Sequence, residues 1–79
     1  MINDINKQIE KLFDSKSKDN KQQIQIEIYH LVNSSKFDND SAVDLHIKNA
    51  ITKSINEYVI NSNDENKQKV LDNFKYLGN

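Results

Sequence analysis

Residues 1–77 contain neither proline nor glycine, and the single glycine, Gly78, stands next to last. The two residues that most often end or kink a helix are therefore missing from the body of the chain. Helical periodicity can run uninterrupted wherever the apolar residues carry it. Segment ends then fall to polar side chains that cap helices.

Four stretches carry such periodicity. In residues 2–13, Ile2, Ile5, Ile9, Leu12 and Phe13 recur at spacings of three and four, one face of a helix. Asn3 or Asp4 is the expected cap, and an acid there suits the helix dipole. Residues 14–20 carry no apolar side chain and read as a loop. Residues 21–33 admit two patterns. Ile24, Ile28, Leu31 and Val32 form a helical stripe, whereas Ile24-Gln25-Ile26-Glu27-Ile28 alternates as a half-buried strand does. Helix is favoured because the stripe continues to Val32 and no partner strand is evident; a lone strand leaves its backbone unpaired. Asp19 with Gln22, or Asn20 with Gln23, has the spacing of a capping box.

Phe37 stands alone in the polar joint 34–39. Asp40 or Ser41 then opens the longest stripe, Val43, Ile47, Ile51, Ile55 and Tyr58, with Ala50 and Val59 flanking it. Ser41 and Asp44 have capping-box spacing. A helix of this length spans about 30 Å and is the expected spine. Ser62-Asn63-Asp64-Glu65 is the best start signal, with two acids in the first turn. Val70, Leu71, Phe74 and Leu77 follow, and Gly78 suits a left-handed C-cap. The expected core is Ile5, Ile9, Leu12, Phe13, Ile24, Ile28, Leu31, Val32, Val43, Ile47, Ile51, Ile55, Tyr58, Val70, Leu71, Phe74 and Leu77.

Composition removes most chemistries. All eleven basic residues are lysine, and cysteine and tryptophan are absent. Guanidinium forks, thiolate metal sites and glycine-rich phosphate loops are thus unavailable. The net charge of −1, with signs interspersed, provides no field to steer nucleic acid. No stretch approaches the roughly 20 apolar residues of a membrane span. The start Met1-Ile2-Asn3-Asp4 is acidic and polar, unlike a secretory signal, and the chain is read as cytoplasmic. Lys, Asn and Ile share A/T-rich codons, which points to a low-GC bacterium and a phage or mobile element, although arginine has such codons too.

Few side chains are arranged for catalysis. Glu27 and His30 share a helix face, but a metal site in a bundle needs further carboxylates, and His46 has no acid three or four positions away. Serines 15, 17, 34, 35, 41 and 62 fall in joints and caps, leaving Ser54 as the one serine inside a helix. Lys11, Lys16, Lys18 and Lys21 cluster around the first joint, with Asp14 and Asp19 interleaved as in a solvated loop. Asp38, Asp40 and Asp44 read as acids at a helix start. No catalytic, cofactor or metal residue is assigned.

What remains is surplus apolar surface. Ile26 and Tyr29 lie off the second stripe, and Leu45 and Ile60 off the third. Together with Phe37 these five are the expected partner-binding residues. The run Ile26-Glu27-Ile28-Tyr29-His30-Leu31-Val32, followed by a polar joint and a long helix, is similar in layout to immunity proteins of pediocin-like bacteriocins. The likeness covers about half the chain, carries no diagnostic motif, and transfers no residues.

The expectation is a single all-α domain over residues 1–79, a compact bundle of three to four antiparallel helices at about 3–14, 20–34, 41–61 and 63–77. The function expected is a small non-enzymatic protein-binding module that inhibits or neutralises a larger protein partner, as phage inhibitors, antitoxins and immunity proteins do. The alternative is a self-associating assembly protein. The apolar fraction of 35% against the usual roughly 45–50% favours a small core or one shared in a homodimer.

Overall fold

A computed structural model describes the backbone of residues 2–73 and the side chains of residues 4–73. Four helices follow in order: α1 Ile2–Asp14, α2 Lys18–Ser34, α3 Ser41–Ile60 and α4 Asp64–Asp72. The all-α expectation holds, and the ambiguous run 24–28 lies wholly within α2. Alternation at Ile24, Ile26 and Ile28 is incidental to a helix whose stripe buries Ile28 and Val32 and leaves Ile26 outside.

Polar side chains do set the ends, but not always the expected ones. α1 already includes Ile2, so Asn3 and Asp4 lie in its first turn instead of capping it. α2 starts at Lys18 because the Ser17 hydroxyl accepts the Asn20 N–H at 3.0 Å, which shortens the joint to three residues. Asp19 then sits in the first turn, where a carboxylate suits the dipole. α3 is capped by Asp40, which accepts the N–H groups of Ala42 and Val43 at 2.9 and 3.2 Å. Asp44 makes no capping box with Ser41; its carboxylate accepts the N–H groups of Phe37 and Asp38 at 2.7 and 3.3 Å. At α4 the cap is Asn63, accepting the Asn66 N–H at 2.8 Å, while the Ser62 hydroxyl turns back to the Tyr58 carbonyl.

Each helix packs most closely on its neighbour in sequence: α1 on α2, α2 on α3 and α3 on α4. α2 and α3 run antiparallel, since Gln25 meets Asn56 and Tyr29 meets Thr52. α3 and α4 do likewise, Lys69 reaching Glu57 and Asn73 reaching Ala50. α3 is the spine, its roughly 30 Å nearly matching the 36 Å long dimension of the molecule. The core joins Ile5, Ile9 and Leu12 of α1, Ile28 and Val32 of α2, Ile47, Ile51, Ile55, Tyr58 and Val59 of α3, and Val70 of α4. Phe13, Ile24, Tyr29, Leu31 and Phe37 pack partly buried against it.

Two positions on or beside the third stripe differ from expectation. Val43 is 42% exposed, and Val59, expected only to flank the stripe, is buried. Spacings of four overshoot a 3.6-residue turn, so the direction of the stripe rotates by about 120° between Val43 and Ile55. Its first member is carried out of the core. Leu71 is half-buried. Phe74, Leu77 and the Gly78 cap lie outside the described residues, as does the side chain of Ile2.

One end of the bundle is closed by aromatics. The Phe13 and Tyr58 rings meet edge to face, 5.2 Å between centroids. The Lys21 ammonium lies 5.9 Å from the Tyr58 centroid, and that of Lys67 lies 5.0 Å from Phe13. Such cation–π contacts contribute about 0.5–1 kcal/mol each at exposed sites. Two lysines thus serve as lids on the core.

Candidate functional site: the outer face of α2 and α3

Tyr29 is half-buried where α2 crosses α3, and its hydroxyl donates to the Thr52 carbonyl at 3.0 Å. Gln25, one turn earlier on α2, donates through Nε2 to the Tyr29 hydroxyl at 2.8 Å and to Asn56 Oδ1 at 3.0 Å. This chain of hydrogen bonds locks the floor of an open groove of about 460 Å³, lined by Tyr29, Asn33, Asn49, Thr52, Lys53 and Asn56. The groove exists because α2 and α3 both present short polar side chains there. Asn49, Thr52 and Asn56 recur at spacings of three and four on α3, one stripe that a core-forming sequence would fill with larger apolar residues.

Large apolar side chains are exposed elsewhere on the same two helices. Leu45, one turn before Asn49, is 58% exposed, and Ile60, one turn after Asn56, is 66% exposed. Ile26 stands on the outer side of α2 and is 53% exposed. Of the five residues singled out in the sequence, these three are exposed on the outer surfaces of α2 and α3. Tyr29 and Phe37 turn inward and pack on the core. The Phe37 main chain is held by Asp44, so this aromatic serves the α2–α3 joint. The groove was not visible in the sequence: its signal was the polar stripe 49, 52, 56, recognisable only once α2 is set beside it.

Electrostatics are quiet. Asp44 is held below the ordinary carboxylate range, first by the hydrogen bond from Lys48 and then by the Phe37 N–H, with the Lys48 ion pair at 2.9 Å. Tyr58 is raised, mainly by burial and then by the charge of Asp64. Neither lines the groove. Glu27, His30 and His46 are exposed, and among the described residues no three His, Cys, Asp or Glu side chains gather as a metal site would require. No helix among the described residues is long and apolar enough to cross a membrane.

Among the described residues, the fold and the groove define a bundle of four helices with a polar furrow open between α2 and α3. Comparisons with protein-family models, with curated proteins and with solved structures find no match for the chain.

Proposed function

We propose that the chain is a small non-enzymatic protein-binding module that inhibits or neutralises a larger protein, docking through the outer face of α2 and α3. The observation that supports this reading is the exposure of Ile26 on α2 and of Leu45 and Ile60 on α3. A single exposed isoleucine is ordinary. Counting Val43, four large apolar side chains on these two adjoining helices stay outside the core, in a chain only 35% hydrophobic. Exposed apolar side chains of this kind can anchor a docked partner, with the charged side chains around them left as a solvated rim.

The test is affinity capture from the native source, with bound proteins identified by mass spectrometry, comparing the natural chain with Ile26→Asp/Ile60→Asp. Both positions are exposed, so the variant keeps its helicity by circular dichroism and loses the captured protein. Equal capture by the two chains refutes the docking face. The same side chains would be covered in a homodimer. Sedimentation separates that reading: mass that rises with concentration in the natural chain, and not in the variant, favours self-association.

A further inference from the structure

We propose that the α2–α3 groove takes an acidic peptide segment of the partner, its carboxylate held by the Asn56 amide and the Lys53 ammonium. This inference rests on the protein-binding reading above and adds the chemistry of what is bound.

Hydrogen-bond direction carries the argument. The single O–H of Tyr29 is committed to the Thr52 carbonyl, so Gln25 must offer an N–H to the Tyr29 oxygen. The second N–H of the same nitrogen goes to Asn56 Oδ1. Asn56 therefore has its oxygen engaged inward and presents its two N–H donors elsewhere. Lys53, three residues earlier on the same helix, is the only charged residue lining the groove among the described residues. On its other side Glu57 is engaged by Lys69, and Lys53 has no ion-pair partner among the described residues. The Asn56 amino group and the Lys53 ammonium are both donors, and an ionised carboxylate is a pure acceptor.

The rest of the groove suits a main chain. Asn49 and Asn56 are seven residues apart, about 10.5 Å along the axis. That is about three residues of extended peptide at roughly 3.3 Å each. The side-chain amides of Asn33 and Asn49 have no partner among the described residues, and each can both donate to and accept from a peptide unit. Leu45 and Ile60, before and after this span on α3, offer contacts for apolar residues flanking the acid. A nucleic-acid phosphate is the poorer fit, because one lysine and a net charge of −1 give little of the counterion-release gain that phosphate binding relies on.

The experiment selects a displayed random-peptide library on the immobilised full chain. Selected peptides should share an aspartate or glutamate with apolar neighbours. A synthetic copy should lose about tenfold or more in affinity for Lys53→Glu, the scale of one hydrogen bond to a charged group. Selection on Lys53→Glu should in turn enrich lysine in place of the acid. With ¹⁵N-labelled protein, the shifts should centre on the Asn49 and Asn56 side-chain amides, and the spectrum also verifies that the variant is folded. An empty selection, peptides without a shared acid, undiminished binding to Lys53→Glu, or shifts centred elsewhere would each overturn the proposal. So would displacement of the peptide by inorganic phosphate, which would mark a general anion site. If the peptide arm fails while capture still depends on Ile26 and Ile60, only this inference falls; if both fail, the docking reading falls with it.

Discussion

Replacing Asn73 by alanine should loosen α4 without unfolding the other helices. Asn73 Nδ2 lies 2.8 Å from Ser54 Oγ, 3.2 Å from the Lys69 carbonyl and 3.3 Å from the Ala50 carbonyl. Its two hydrogens thus serve three oxygens, two of them on α3. A neutral hydrogen bond contributes about 0.5–1.5 kcal/mol net, so two are worth about 2 kcal/mol. The Ser54 hydroxyl keeps its own donor bond to the Ile51 carbonyl, which limits the damage to a vacated acceptor. The nine residues Asp64–Asp72 are too few to be stable as an isolated helix, which makes α4 dependent on its docking contacts. At about 1.4 kcal/mol per factor of ten, α4 amides should exchange about thirtyfold faster, while α3 amides hold. Hydrogen exchange followed by NMR reads the two helices separately. Asn73→Asp should be worse than alanine, because a carboxylate has no hydrogen to give and would face three acceptors. Unchanged exchange in α4, or equal acceleration in α3 and α4, would show that Asn73 is not a local pin.

Three further outcomes are expected. The lowered Asp44 pKa stabilises the fold fully above the ordinary carboxylate range and fades as pH falls through its depressed folded value; the Phe37 amide resonance should follow that titration, and Asp44→Asn should abolish it. The raised Tyr58 pKa keeps the phenol protonated longer in the folded state, so stability should fall as pH rises above about 10, with a phenolate absorbance step that Tyr58→Phe removes. Ile55→Ala, at a fully buried site, should cost about 2–5 kcal/mol, comparable to the roughly 3–5 kcal/mol available to a domain of this size, and leave most of the chain unfolded by circular dichroism, whereas exposed Ile26→Asp should change thermal stability little.

The helices were readable because Ile, Leu and Val recur at helical spacing with nothing to interrupt them. Boundaries were less so, for a physical reason. Ser17, Asp19 and Asn20 are all competent caps, and the choice among them depends on where α2 must start to meet α1. Asp44 illustrates the same limit: its spacing from Ser41 fits a capping box, yet tertiary folding of the joint brings the Phe37 and Asp38 N–H groups to it instead. Ser54 stood out as the one serine inside a helix, but besides its local bond to the Ile51 carbonyl it accepts from Asn73, nineteen positions away. Ile26, Leu45 and Ile60 were legible as surplus because they leave the stripes. Tyr29 and Phe37 were read with them, since aromatic residues off a stripe look the same whether they turn to solvent or over the edge of a core.

Every helix here lies closest to the one just made before it in the chain. Contacts of that kind close short loops, and domains dominated by them fold in microseconds to milliseconds. Assembly can therefore run in the order of synthesis: α1 and α2 can pair once residue 34 is free, α3 adds the spine, and α4 is fastened last through Asn73. A bundle wired in this serial way leaves few apolar side chains waiting for a distant segment, Phe13 with its ring partner Tyr58 being one, which limits the time its isoleucines spend exposed to other unfolded chains.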